Sequence, residues 1–349
     1  MDNSVTPAAL LARALTSARA LGLHAHIEQP GGPLGRDAAV ALVRIGRAGA
    51  GILYAVEVKK GLRPATLGAT IHQMERFDQA ALLVADHVTP ALADELKARR
   101  VPFVDTAGNA YLEQPGLFVW VNGRKPLTKP VREALGRAFQ INGLKVVFGL
   151  LCNPEWINRP YRELAVQAGV AHGTVGVVMA DLQRSGFMAD SKGKRGTRRL
   201  FKAKGLLDQW MDAYARMLRP RTLLGRYYVQ SLNGWKDWPL AEHGALWGGE
   251  PAGALLTGYL HPGELTIYAD RVPALLAAQH RFLKDPQPGH TTVVEVRQRF
   301  WRFTGYPHPA NVVPPILVYA DLLAMGDARC IETAKLVYQA DVARFFAEG

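Results

Sequence analysis

The chain has 349 residues, 48% hydrophobic and 21% charged, which excludes a disordered chain and, by length, favours two or three domains over one core. Its net charge of +12 suits a polyanionic partner, nucleic acid above all. Two cysteines, Cys152 and Cys330, exclude a disulfide framework and a cysteine-rich zinc cluster, and fit a reducing compartment.

The opening "PAALLARALTSARAL" (7–21) reads as an amphipathic helix rather than a signal peptide. No apolar run approaches the roughly 20 residues that span a bilayer, so no membrane partner is expected and the expected location is the cytoplasm. Strand-like runs follow: "LHAHIEQ", "DAAVALVRIG" and "GILYAVEVKK", separated by the glycine-rich turns "GGPLG" and "GRAGAG". Then come a helix, "PATLGATIHQMERFDQ", a strand, "AALLVAD", a second helix, "TPALADELKARR", and the strands "VPFVDTAG" and "GLFVWVNG". Strands mixed with crossover helices predict an α/β layer fold over 1–135. In "FVDTAGNAYL", Asp105, Gly108 and Asn109 predict an Asx-type turn with glycine at positive φ. "GRKPLTKP" is a polar, proline-containing linker.

The middle segment, 136–205, predicts three helices and a hairpin. The first is 140–152. The second, "YRELAVQAGV", ends at Gly169, a natural C-cap. "AHG" makes a tight turn, and Thr174 is placed to cap a third helix, "TVGVVMADLQRSGFM". "ADSKGKRGTRRLFKA" gives two strand-like arms around a basic tip. The layout resembles a winged helix-turn-helix, whose third helix enters a major groove. Over 136–205 there are twelve Lys and Arg against four Asp and Glu; twelve minus four is +8, two thirds of the protein's +12. Such a local excess neutralises phosphates and makes binding salt-sensitive. His172, Thr174, Val175 and Val178 are the candidates to reach base edges. Arg159, Tyr161, Arg162, Lys192, Lys194, Arg195, Arg198 and Arg199 are the candidates to hold phosphates. The expected partner is double-stranded DNA, with no cofactor required. "GTVGVV" carries a hydroxyl and methyls but no bidentate donors, so modest sequence specificity is expected unless a homodimer or second site adds to it.

"ILYAVEVKKGLRP" places Glu57 and Lys59 on one face of a strand. With Asp37 on the preceding strand and Gln73 on the following helix, the set resembles the PD-(D/E)XK core of restriction endonucleases and Holliday-junction resolvases. That resemblance implies Asp37 and Glu57 as Mg²⁺ ligands and Lys59 as the residue that orients the attacking water or stabilises the transition state. Two departures stand out: Arg36, not proline, precedes Asp37, and the gap from Asp37 to Glu57 is long. A core without cleavage activity, used for contacts only, remains open on the residues.

The last segment, 206–349, has a helix at "GLLDQWMDAYARML", mixed strands, and helices at "PPILVYADLLAMG" and "IETAKLVYQADVARFF". "ALWGGEPAGALLTGYLHPGELTIYAD" resembles the nucleotidyltransferase fold, a Gly-Gly before a helix and then a strand. Glu264 fills one acid position and Thr266 stands where a second would be, so an α+β shell without catalysis is expected. Leu317, Tyr319, Leu322 and Leu323 read as helix core; Asp321, Asp327, Arg329 and Glu332 read as caps and salt bridges before a surface site. The run 314–339, with "GGEPAGALLTGYLHP" and the preceding helix-turn-helix, resembles the AbiEi-family regulators, antitoxins of type IV toxin–antitoxin systems. The resemblance implies a DNA-binding autorepressor opposing a nucleotidyltransferase-like toxin encoded nearby. Simple members carry their winged helix first; here the nuclease-like segment precedes it.

Overall fold

The computed structural model describes residues 6–30, 40–126, 136–190, 197–304 and 311–343. The chain divides into two compact units, 1–134 and 135–349.

In the first unit, helix α1 (Pro7–Ala20) begins with Thr6 accepting from the Ala9 amide at 3.2 Å and proline in its first turn. Strands β1 (His24–Pro30), β2 (Ala41–Arg47) and β3 (Ala50–Lys59) form an antiparallel meander. The β2–β3 turn needs its glycines: a Cβ on Gly46 would stand 2.6 Å from the Gly51 Cα, and Gly49 has φ +74°. Helices α2 (Pro64–Met74) and α3 (Pro90–Ala98) carry the chain across to β4 (Ala80–Ala85) and β5 (Phe103–Asp105), which continue parallel to β3. β6 (Ala110–Gln114) and β7 (Leu117–Val121) close an antiparallel edge, so seven strands lie in sequence order.

Strand alternation divides the core between two faces. Leu82 and Val84 pack with Val43, Val56 and the α1 residues Leu11 and Leu15. Leu83 packs with Leu67 of α2, Leu92 and Leu96 of α3, and Phe103. The unit is thus a mixed α/β layer structure, as the sequence predicts. The 105–109 turn is also as expected. Buried Asp105 accepts from the amides of Ala107, Asn109 and Val88, each at 2.8 Å, and Gly108 has φ +89°.

The second unit starts with three helices: α4 (Ile141–Cys152), α5 (Tyr161–Ala168) and α6 (His172–Arg184). A two-stranded antiparallel pair follows, β8 (Met188–Asp190) with β9 (Arg198–Leu200). Helix α7 (Ala203–Ala213) runs into a π-helical turn, Tyr214–Leu218, and the short α8 (Arg219–Thr222). The expected domain boundary at 205/206 falls inside α7. Four strands then form one sheet in the order β10 (Leu223–Val229), β13 (Thr292–Gln298), β12 (Leu265–Ala269), β11 (Leu246–Gly248). β12 and β13 are parallel and the other pairs antiparallel. Helices α9 (Gly249–Thr257), α11 (Pro315–Met325) and α12 (Ala328–Val337) pack together beside this sheet, and α10 (Ala274–Gln279) lies in the β12–β13 connection. Leu317, Tyr319, Leu322 and Leu323 are all buried, as expected.

Aromatic packing makes 135–349 one unit. Phe148 of α4 stacks on Trp210 of α7 at 5.3 Å between ring centroids, and meets Phe300 at 5.1 Å and Trp301 at 5.7 Å. The buried Trp210 indole donates to the Leu144 carbonyl at 2.8 Å, which satisfies its N–H inside the core. Aromatic pairs of this kind add about 0.5–1.5 kcal/mol each beyond the area they bury.

Asp321, expected as a structural cap or salt-bridge residue, is wholly buried in α11 and ion-paired to Arg219. It accepts from the hydroxyls of Tyr214 at 2.8 Å and Tyr268 at 2.9 Å, and from Arg219 Nε at 3.0 Å. Asp327 caps α12, accepting from the Cys330 amide at 3.0 Å.

A candidate nucleic-acid interface

Helices α5 and α6 meet at 105°. The turn between them depends on Gly169, which caps α5 in the left-handed region at φ +63°. Helix α6 begins at His172 with Ala171 as its N-cap, three residues before the cap expected at Thr174. Thr174 instead sits in the first turn, half-buried, its amide donating to the Ala171 carbonyl at 3.0 Å.

That phase turns the helix relative to the sequence expectation. Val175, Val178, Met179 and Leu182 are 0–1% exposed and form the inward stripe. Val175 and Val178 are therefore core residues and do not face a groove. Their spacing with Met179 and Leu182 (i, i+3, i+4, i+7) is an amphipathic signal that the sequence already contained. The outward face is His172, Gly173, Val177, Ala180, Gln183 and Arg184. It is smooth at its start and offers amide and guanidinium donors only in its last turn. Arg184 pairs with Asp181 at 2.8 Å, and Asp181 also accepts from the Ala138 amide at 2.9 Å, tying the start of the unit to α6.

The basic residues gather at the start of α5 and on β9. Arg159 is exposed and lies 4.6 Å from the Trp156 ring centroid. Arg198 donates to the Tyr161 hydroxyl at 2.8 Å, with its guanidinium 5.0 Å from that ring's centroid. The Tyr161 ring also meets Gly176 of α6, where a Cβ would come within 3.7 Å of it. Tyr161 thus joins the hairpin arm to α6 through α5. Asn158 fixes the arm from below, accepting from the Arg198 amide at 2.6 Å and donating to its carbonyl at 3.0 Å. Nothing in the sequence singled out Asn158 or Gly176. Arg162 and Arg199 are exposed. Lys192, Lys194 and Arg195 lie outside the described residues.

The first unit holds a second constellation. Glu57 and Lys59 share a face of β3 and pair at 2.8 Å; Lys59 also donates to the Oε1 of Gln73, a buried residue of α2. Three of the four residues expected from the sequence therefore converge, and Asp37 lies outside the described residues.

In the second unit, Thr266 is buried and pairs across the parallel ladder with Glu295 of β13. Burial first, and then the charges of Glu295 and Glu250, hold the Glu264 carboxyl above its ordinary value. Glu295, overlooked in the sequence, is ion-paired to Arg297 at 2.5 Å.

Residues 199–343 match a family model described as transcriptional regulator, AbiEi antitoxin, type IV toxin–antitoxin system. The match runs from β9 through α12 and leaves out α4, α5 and α6. No curated protein and no solved structure matches the chain.

Proposed function

We propose that the chain is a DNA-binding transcriptional regulator resembling the antitoxin of a type IV toxin–antitoxin system. The observation that carries this reading is the Tyr161–Arg198 join, which ties the basic strand β9 to the start of α5, where the Tyr161 ring also meets Gly176 of α6. That surface belongs to the same compact unit as the family-matched region. On this reading α4–α6 and β8–β9 act as a winged helix. Arg159, Arg162, Arg198 and Arg199 hold phosphates, and His172 and the outer residues of α6 meet the groove. The partners are double-stranded DNA and, through the resemblance, a toxin encoded nearby; a homodimer is the usual state of such repressors, and the cytoplasm is where its DNA lies.

The test is binding to a labelled fragment of its own upstream DNA across a salt series. Replacing Arg198 and Arg199 together by Ala should weaken binding and reduce the slope of log K against log salt by about 1.8, at about 0.9 per phosphate contact. An unchanged slope removes these residues from the interface.

A second reading is favoured by one observation, the convergence of Glu57, Lys59 and Gln73: a Mg²⁺-dependent nuclease of PD-(D/E)XK type guided by the winged helix. The helix–three-strand–helix–strand order of α1 to β4 supports that resemblance. Among the described residues the constellation offers one carboxylate, Glu57, which pairs with Lys59; the second ligand of this reading, Asp37, lies outside the described residues. Supercoiled plasmid incubated with Mg²⁺, Mn²⁺ or EDTA separates the readings. Nicks that Glu57→Ala abolishes support the nuclease; intact DNA in every lane leaves the regulator.

A further inference from the structure

The segment after β13 leaves the four-stranded sheet and returns to the helical part of the unit. Its residues alternate. Trp301 and Phe303 are buried and Arg302 between them is exposed. Phe300 and Trp301 pack on Phe148 of α4, and Phe303 packs edge-on against Trp156 at 5.4 Å, the ring that also carries Arg159. These anchors fix the backbone of Arg302 against the end of α5. Its amide donates to the Gln167 carbonyl at 2.9 Å, supplying a donor to the last turn of that helix. Its side chain runs over the turn: Arg302 Nε lies 3.7 Å from the place a Cβ would take on Gly169, three residues before α6 begins.

The charge there is free to act outward. Among the described residues no carboxylate pairs with Arg302, whereas nearby Arg299 is held by Asp270 through two contacts of 3.1 Å. A guanidinium fixed beside the turn that delivers a helix to a groove is placed to meet a backbone phosphate, and its fork suits that oxygen geometry.

We propose that Arg302, supplied by the family-matched part of the chain, is a further phosphate-binding residue of the DNA interface. The proposal rests on the DNA-binding reading. It means that the helices and the family-matched region present one continuous surface to DNA. It also means that a chain truncated near residue 205 would lack part of its binding site.

Arg302 beside a helix C-terminus would also be favourable for α5 itself, so the experiment must separate charge on DNA from support of the fold. Full-length protein is titrated by fluorescence anisotropy onto a labelled duplex of its upstream DNA and onto an unrelated duplex, at several salt concentrations. The variants are R302Q, R302K and, as a positive control, R198Q. R302Q should weaken binding several-fold on both duplexes and reduce the salt slope by about 0.9, one phosphate contact. R302K, which keeps the charge, should retain the wild-type slope, so a slope reduced in R302Q and restored in R302K assigns the effect to the charge, whereas equal slopes in the two variants overturn the proposal. A wild-type slope for R302Q beside a reduced slope for R198Q overturns this proposal and leaves the DNA reading standing. A loss of affinity with no change in slope assigns Arg302 to support of α5 and also overturns it. Absence of salt-sensitive binding by the intact wild-type chain overturns the DNA reading itself, and this proposal with it.

Discussion

The Glu57–Lys59–Gln73 group of the first unit and the Asp321 network of the second use the same ingredients, a carboxylate, a cation and uncharged polar partners. Their carboxylates differ in access to water. Glu57 and Lys59 keep 17% and 21% of their side chains exposed. Asp321 is wholly buried, although Arg219, its cation, keeps 17% of its side chain exposed. Burial works against the Arg219 charge, but Asp321 together with Tyr214, Tyr268 and Glu295 outweighs it and holds the guanidinium above its ordinary pKa. Burial, reinforced by Asp321, likewise keeps Tyr214 and Tyr268 as neutral hydroxyls. A sealed network commits its hydrogen-bonding capacity to its own fold; a pair at the edge of water keeps capacity for a ligand.

That contrast can be broken by substitution. Asp321→Ala removes the wholly buried carboxylate that accepts from Tyr214, Tyr268 and Arg219 and should cost about 3–5 kcal/mol in urea unfolding. A loss below about 1 kcal/mol would show that water reaches the network. The same logic applies along one helix of the candidate interface. Val175→Ala should cost about 2 kcal/mol, from the lost methyl groups and the cavity, while Val177→Ala, on the outer face, should stay within about 0.5 kcal/mol. Equal losses measured by denaturant titration would put the phase of α6 in error. Glu57→Ala should change stability by only about 0–1 kcal/mol, because a water-accessible pair contributes little. A much larger loss in the same assay would move that group from the ligand-ready class to the structural one.

The smallest effect concerns pH. The Glu264 carboxyl is raised above its ordinary value of 4.5 by burial and by neighbouring acids. The folded state therefore binds this proton more tightly than the unfolded state. Stability from this site is greatest at low pH and declines as pH rises through 4.5 to the folded value. Glu264→Gln, permanently neutral, should melt above wild type at pH 7, with the gap closing as pH falls toward 4.5. A gap that persists at acid pH would mean that the carboxyl costs stability through its fit rather than its charge.

Much of the candidate interface is legible in the sequence because its signals are local. Gly169 marks the end of α5, and the concentration of Lys and Arg over 136–205 marks the charged surface. Glu57 and Lys59 share a face because strand alternation requires it. Thr174 misleads, because a threonine after a tight turn resembles a cap; it points Val175 and Val178 outward, whereas the apolar spacing through Leu182 carries the better signal.

What the sequence determined by itself was the order of helices through the middle segment, the α/β character of the first unit, and which residues carry charge. Tertiary structure alone decided which of those charges meet and which see water. Asp321 reaches Arg219 and Tyr268 across 102 and 53 residues, Glu295 reaches Thr266 through a parallel ladder, and Arg302 reaches Gly169 by way of Phe148. Local pattern records the face on which a side chain lies. Contacts between distant segments depend on how whole elements pack, and that packing is set by the summed burial of many apolar side chains rather than by any short stretch of sequence.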